Sequence, residues 1–470
     1  MADTLTEVQE LLLTKAKETL GVDSFEAAKE LFKNFDATKI DMKVIIGVVV
    51  AAFAIILPMF SIKGMARKVL KAMGYPKLEV IHPEMAEYSV GALRVRLSKD
   101  IPTVQIFYPV SSTAPNPRGG SDFIPYYRPK AIEGMLKFLE SAEMADGILQ
   151  LMSETPHPLS GTYAAEPLPA TKSQKKFPLV VFSHGLGGTI EMYTELCAQL
   201  ASLGVIVVAP EHADTSASYA TKINDDGSVR DVWYQAPTPD SVEPYSRKKM
   251  VGFRGPHLED RVEELTKLYG FLRCRTKATG GGDYTDPKLL SLADRILAAA
   301  DPKDLHLVGH SFGGSTQLLA AQKWTATRAV GNSNPIVPLS ITVFDTWNFA
   351  LSDEILNKGI PAVFKSKGPP ILSVISHEWT TNPEREQLLM FLRASQSECK
   401  IESYYAKNSV HQSFSDTEAW FPDAVATSLE NRGENEERHV TVNAIVAAFA
   451  KNSGLSDSAL PENLISFPID

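Results

Sequence analysis

From about residue 75 the chain alternates between two patterns. Short, nearly continuous runs of Val, Ile, Leu and Phe recur at Ala92–Leu97, Thr103–Pro109, Pro178–His184, Val205–His212, Asp304–His310, Leu339–Asp345, Pro370–Ser376 and Lys400–Ala406. Longer stretches with helical spacing lie between them, at Thr189–Leu203, His257–Cys274, Pro287–Ala300, Phe312–Lys323 and Pro383–Ser395. The short runs read as strands buried on both faces. Their alternation with helices predicts a mostly parallel sheet flanked by helices. Pro-, Ser- and Gly-rich stretches at 110–122 and 153–174 predict surface loops around a helix at 129–152, an insertion placed to help cap a site.

The first 74 residues follow a different pattern. Leu5, Val8, Leu12 and Ala16 share one helical face, and Phe25, Ala28, Leu31, Phe32 and Phe35 share another, with Asp23 and Glu26 as a start signal. Residues 1–40 therefore read as an amphipathic helical leader. Residues 44–62 carry no charge at all. As a helix, such a run is roughly 28 Å long, close to the hydrocarbon thickness of a bilayer. It begins too far in, behind too acidic a leader, for a cleaved signal peptide. Residues 41–74 thus predict a single-pass membrane anchor with its juxtamembrane segment, and 75–470 a catalytic domain. Lys29, Lys33, Lys39 and Lys43 precede the run and Lys63, Arg67, Lys68 and Lys71 follow it. That balance leaves the positive-inside rule silent on orientation.

Composition narrows the function classes. An apolar fraction of 44% and a charged fraction of 22% are those of a folded globular chain. A net charge of −9 argues against non-specific nucleic-acid binding. Three scattered cysteines (Cys197, Cys274, Cys399) make neither a disulfide framework nor a zinc site. No Asn-x-Ser/Thr sequon is present, and both facts lean towards a cytosol-facing catalytic domain. Gly280-Gly281-Gly282 lacks the Lys-Ser/Thr of a phosphate loop and reads as a flexible loop, so no cofactor is expected.

The chemistry centres on Gly309-His310-Ser311-Phe312-Gly313, set between the run Leu305–Val308 and the helix-forming stretch that follows. A strand running into Gly-x-Ser-x-Gly and then a helix is a nucleophile elbow. The turn is so tight that residues two before and two after the serine must be nearly free of side chain. It names Ser311 as the nucleophile and predicts an α/β-hydrolase fold, in which acid and then histidine follow along the chain. His411 lies just after the last apolar strand, where the base belongs. His439 sits in a charged, solvated helix start, and His377 comes too early. Two carboxylates end strands after Ser311, Asp345 and Glu378, and spacing barely separates them. The oxyanion hole needs two backbone N–H groups: that of Phe312, after the nucleophile, and one from the Gly-rich loop His184–Gly188, where Leu186 is well placed.

These blocks carry a resemblance. Phe177–Gly187, Leu200–His212, Gly309–Gly314, Phe344-Asp345-Thr346-Trp347 and Ser409–Phe414 resemble, in order, the platelet-activating factor acetylhydrolase family (plasma and intracellular type-II group). The resemblance runs from about residue 103 to 420. It implies that the acid is the aspartate of Asp-x-Trp, hence Asp345, with Ser311, His411, Leu186 and Phe312 in the other roles. It further implies a calcium-independent esterase acting on short or oxidised sn-2 acyl chains of glycerophospholipids, with a phospholipid as partner. Residue 2 is alanine, so N-terminal myristoylation is not expected. Two other readings stand beside this one: a broader membrane-anchored carboxylesterase, and a catalytically dead hydrolase serving as a scaffold, against which the intact Ser, Asp and His set argues.

Overall fold

Eleven strands and eight longer helices carry the chain from Ser89 to Ser466 among the described residues. In chain order they are β1 (Ser89–Arg96), β2 (Thr103–Val110), α1 (Pro129–Phe138), β3 (Phe177–Ser183), α2 (Thr194–Ser202), β4 (Ile206–Pro210), β5 (Tyr219–Ile223), β6 (Val229–Trp233), α3 (Arg247–Cys274), α4 (Pro287–Ala299), β7 (Ala300–His310), α5 (Phe312–Ala329), β8 (Ser340–Phe344), α6 (Asp353–Lys358), β9 (Ile371–Ser376), α7 (Arg385–Ser395), β10 (Ile401–Ala406), α8 (Asn435–Asn452) and β11 (Leu464–Ser466). This computed structural model describes residues 70–71, 75, 85–111, 124–139, 151–168, 176–242, 246–329, 336–361, 367–420 and 435–469. The amphipathic leader and the apolar run 44–62 lie outside them. No helix among the described residues is long and apolar enough to cross a membrane.

Nine strands form one sheet in the order β1-β2-β4-β3-β7-β8-β9-β10-β11. From β4 to β10 every neighbouring pair is parallel, while β1, β2 and β11 join antiparallel. Apart from the separate β5–β6 hairpin, this is an antiparallel edge followed by a doubly wound parallel sheet, the topology of an α/β hydrolase. The central strands β3, β4, β8 and β9, and β7 from Leu305 on, are buried along almost their whole length, which is why their sequences are mostly apolar without alternation. Two groups of helices flank the sheet: α2 with α8, and α3 with α5. The chain order exchanges at β3 and β4, so the loops after β3 and β7 meet at the carboxyl ends of adjacent strands. That crevice is where ligands bind in open α/β sheets.

All eight predicted strands form, and the departures have local causes. Helix α3 begins at Arg247, ten residues before the predicted start, and runs through Pro256. Proline removes a helical N–H and normally stops a helix at a cost of about 3 kcal/mol. Here burial of Met250, Arg254, His257 and Leu258 on either side outweighs it. The β5–β6 hairpin escaped notice because Lys222, Arg230 and Asp231 interrupt any apolar run; Gly227 closes it at φ +84°. Gly280–Gly282, read as a loop, makes a tight turn closed by Gly281 and Tyr284. All three residues have positive φ, and a Cβ on Gly280 would lie 2.1 Å from the Tyr284 carbonyl oxygen.

The insertion after β2 folds back over the loop that follows β3. The Phe138 ring at the end of α1 lies against Gly187, where a Cβ would come within 2.3 Å of it. Arg128, at the N-terminus of α1, is gripped by the buried carboxylates of Glu191 (2.6 Å) and Glu211. A bridged cation thus ties this cap to the core beside the candidate site.

Candidate active site

Strand β7 and helix α5 meet at Ser311, whose φ is +56°. This left-handed conformation is strained for a residue with a side chain. It persists because backbone bonds on both its N–H and its carbonyl over-determine it. Ser311 N–H donates to the Phe344 carbonyl (2.8 Å), while its carbonyl accepts from the N–H groups of Gly314 (3.0 Å) and Trp347 (3.1 Å). The predicted absence of side chains is a packing necessity. A Cβ on Gly309 would sit 2.5 Å from the Gly313 carbonyl oxygen, and one on Gly313 only 2.0 Å from that of Ser183.

The structure brings Ser311, His411 and Asp345 into one hydrogen-bonded line. His411 Nε2 lies 3.1 Å from Ser311 Oγ, and His411 Nδ1 lies 3.1 Å from Asp345 Oδ2. Asp345 directly follows β8 and is fully buried; its other oxygen accepts from Ser376 N–H at 2.6 Å. Burial pushes its pKa up, and the bonds from His411 and Ser376 oppose that push. The rival Glu378 points elsewhere, its carboxylate accepting the backbone N–H of His411 (2.9 Å). His439, expected in a solvated helix start, is instead half-buried with Nδ1 2.6 Å from Glu195 Oε1, because α8 packs on α2. His377 follows β9, where its N–H donates to Ser409 Oγ.

Leu186 and Phe312 were expected to supply the two backbone donors. Phe312 opens α5, so its N–H belongs to the first turn, whose donors have no intrahelical partner. In the loop after β3, the N–H groups on either side of Leu186 are committed. Gly185 donates to Tyr193 OH (3.1 Å) and Gly187 to the Ser216 carbonyl (2.8 Å). The loop runs beside the nucleophile: the Ser311 Cβ lies 3.2 Å from where a Gly185 Cβ would be.

A buried polar cluster braces this loop from behind, joining residues that no motif or spacing connects. The Arg261 guanidinium donates to the carbonyls of His184 (2.7 Å) and Gly185 (3.4 Å), and to Asp214 and Ser216. It also stacks on the Phe312 ring, 4.8 Å from its centroid. His184 Nε2 accepts from His212 N–H, so Nδ1 carries the proton and donates to the Gly185 carbonyl (2.9 Å). Burial, then Arg261, lowers the His184 pKa to about 3 and keeps that tautomer neutral. The Gly185 carbonyl and the Leu186 N–H are one peptide unit. Donors on that oxygen polarise the Leu186 N–H of the same unit. His212 in turn lies 2.8 Å from Glu264, whose pKa burial and Asp214 raise to about 8. The stretch Glu211–Asp214 is thus spent on this bracing and on Arg128. The ligand atoms of His310, Asp345 and His411 gather within 4.8 Å of one another, the one such cluster among the described residues. It coincides with the serine's own proton line, in which His411 Nδ1 already faces Asp345.

The doubly wound sheet, the elbow and the histidine loop define an α/β hydrolase. Comparison with known proteins agrees. Residues 77–460 match the family profile described as platelet-activating factor acetylhydrolase, isoform II, and the chain belongs to that family. It is similar to the platelet-activating factor acetylhydrolase of Gallus gallus, at 26% identity over 310 residues, 63% of this chain and 67% of that protein. The protein of the same name from Canis lupus familiaris is 27% identical over 256 residues, 52% of this chain and 49% of that one. The chain therefore matches about half to two thirds of the length of these relatives. Among solved structures, a ferulic acid esterase from Streptomyces cinnamoneus aligns with 83% of this chain and 99% of that one, at TM-score 0.48 and 17% identity.

Proposed function

We propose that this chain is a membrane-anchored, calcium-independent serine esterase of phospholipase A2 type, which removes short or oxidised acyl chains from the sn-2 position of glycerophospholipids. The observation that carries the reading is the line Asp345–His411–Ser311, two contacts of 3.1 Å ending at the strained elbow. Ser311 Oγ attacks the sn-2 carbonyl carbon as His411 Nε2 takes its proton. The carbonyl oxygen becomes an oxyanion facing the N–H groups of Leu186 and Phe312, each worth about 3 kcal/mol in such sites. As the intermediate collapses, the lysophospholipid oxygen leaves with the proton from His411. A water deprotonated by the same histidine then cleaves the acyl-enzyme, releasing the carboxylic acid and restoring Ser311. Asp345 holds the His411 tautomer and balances the imidazolium in both halves. No step needs a metal.

Membership of the acetylhydrolase family supports a lipid ester as substrate. The uncharged run 44–62 is of bilayer length and supports a single-pass anchor that keeps the catalytic domain at a lipid surface. Few cysteines and the lack of sequons support a cytosol-facing orientation. The test is covalent. A fluorophosphonate labels Ser311, located by peptide mass spectrometry, and Ser311→Ala loses both label and turnover with an unchanged circular-dichroism spectrum. Turnover retained in that variant overturns the reading.

A further inference from the structure

We propose that Trp379 is a positioning residue that stabilises the imidazolium formed on His411 in each half-reaction; the inference rests on the Ser311–His411–Asp345 reading above. Both ring nitrogens of His411 are engaged, by Asp345 and by Ser311. Further stabilisation of the ring must come through its faces. The Trp379 indole is stacked on one of them, with centroids 5.3 Å apart and planes 15° from parallel. A cation within about 6 Å of an indole centroid is attracted by the negative face of the ring, more strongly when the contact is dry. Trp379 is only 5% exposed, so the indole side of the contact is shielded from water, while a quarter of the His411 side chain remains exposed.

The turn that carries the indole is also held in place. The Trp379 backbone N–H donates to Ser376 Oγ (3.2 Å), and the turn Glu378–Thr380 closes on itself through Thr380 N–H to the His377 carbonyl (3.2 Å). Glu378 from the same turn holds the His411 backbone N–H, and Ser376 N–H holds Asp345. One four-residue segment, Ser376–Trp379, therefore fixes the acid, the backbone of the base and a face of its ring. Three titratable groups face His411. Asp345 is its direct partner, and Glu378 meets its main chain. The third, His310, has its ring 4.6 Å away at 40°; burial, then His411, holds its pKa well below the usual value, so it is neutral and adds no charge. The indole differs from the two carboxylates in being uncharged. Its attraction grows only as the ring becomes a cation, which is the condition for raising kcat without changing KM.

The test compares aromatic with aliphatic replacements in the full-length chain. Trp379→Phe, Trp379→Leu and Trp379→Met are assayed for kcat, KM and thermal midpoint on a short-chain sn-2 ester, with active sites counted by fluorophosphonate titration. Phe and Leu both shorten the side chain and lower the midpoint by similar amounts. The expected split is in kcat. Phe loses less than threefold, whereas Leu and Met lose roughly three- to thirtyfold, the cation–π range at about 1.4 kcal/mol per decade, with KM unchanged. Met, long and flexible, supplies the aliphatic comparison if Leu fails to fold. Aliphatic variants with wild-type kcat, or kcat following the midpoint regardless of aromaticity, would overturn the proposal. Ser311→Ala run alongside separates the two levels: activity there removes the reading beneath, while its loss together with an unmoved kcat in the aliphatic variants removes the role of Trp379 alone.

Discussion

Arg261→Met separates what the buried guanidinium does for stability from what it does for rate. Arg261 and Asp214 are both fully buried and 3.2 Å apart. Removing the cation strands the carboxylate, and breaking such a pair costs about 3–5 kcal/mol. It also frees the carbonyls of His184 and Gly185 and strips the Phe312 ring of its stacked partner. His184 still holds the Gly185 carbonyl at 2.9 Å, so the Leu186 N–H is loosened rather than lost. Complete loss of an oxyanion donor costs about 10²–10³ in kcat, so loosening is expected to cost roughly 10–10². Arg261→Met/Asp214→Asn removes the stranded charge as well. Urea midpoints by circular dichroism, with kcat and KM on p-nitrophenyl acetate per titrated active site, read both effects. The double variant should regain most of the stability and none of the kcat. Recovery of kcat along with stability would refute the reasoning and leave Arg261 with packing alone.

Other expected outcomes are simpler. Asp345→Asn should lower kcat by about 10⁴, the usual loss for the acid of such a set; Glu378→Gln keeps an acceptor for the His411 N–H and should lose less than tenfold, and the reverse ranking would make Glu378 the acid. Gly313→Ala should abolish expression of folded protein, because its Cβ would meet the Ser183 carbonyl oxygen at 2.0 Å; a soluble, active variant would show that the elbow relaxes. The raised pKa of Glu264 means that the folded state holds its proton more tightly than the unfolded chain, so its stabilising effect is full below about pH 4.5 and is lost as pH rises to about 8. Urea midpoints of Glu264→Gln should accordingly fall less between pH 5 and 8 than those of the wild type. The neutral histidines act in the opposite sense. His157 and His184, with pKa values lowered to about 3, oppose folding progressively as pH drops below about 6.5. Native stability should fall from pH 6.5 towards pH 4, and a flat profile there would mean that these rings are protonated in the fold.

What was legible in the sequence was whatever local geometry demands of residue type. Gly309 and Gly313 announce the elbow because no other residue fits beside Ser183 and its own turn. The central strands were legible because burial on both faces makes them mostly apolar without a polar alternation. Asp345 and Glu378 were not separable by spacing, since both end parallel strands that lie side by side in the sheet. Only the fold shows that one carboxylate meets the ring of His411 and the other its backbone. Arg261 and His184 were silent for a related reason. Their partnership joins residues 77 positions apart, and nothing periodic marks a buried arginine inside a helix. Trp379 reads as an ordinary core aromatic until the histidine loop is folded onto it. Helix α3 was mistimed because Pro256 is a stop signal that tertiary burial overrules.

The most direct test of the account is hydrolysis of a glycerophosphocholine series by the full-length chain in detergent or vesicles. Acetyl, oxidised and long-chain sn-2 esters are compared with chelator present and Ser311→Ala as the control. The account predicts fast, chelator-resistant release confined to the short and oxidised chains and absent from Ser311→Ala. Turnover of simple esters with no phospholipid activity would leave the Ser311 chemistry standing and contradict the lipid substrate.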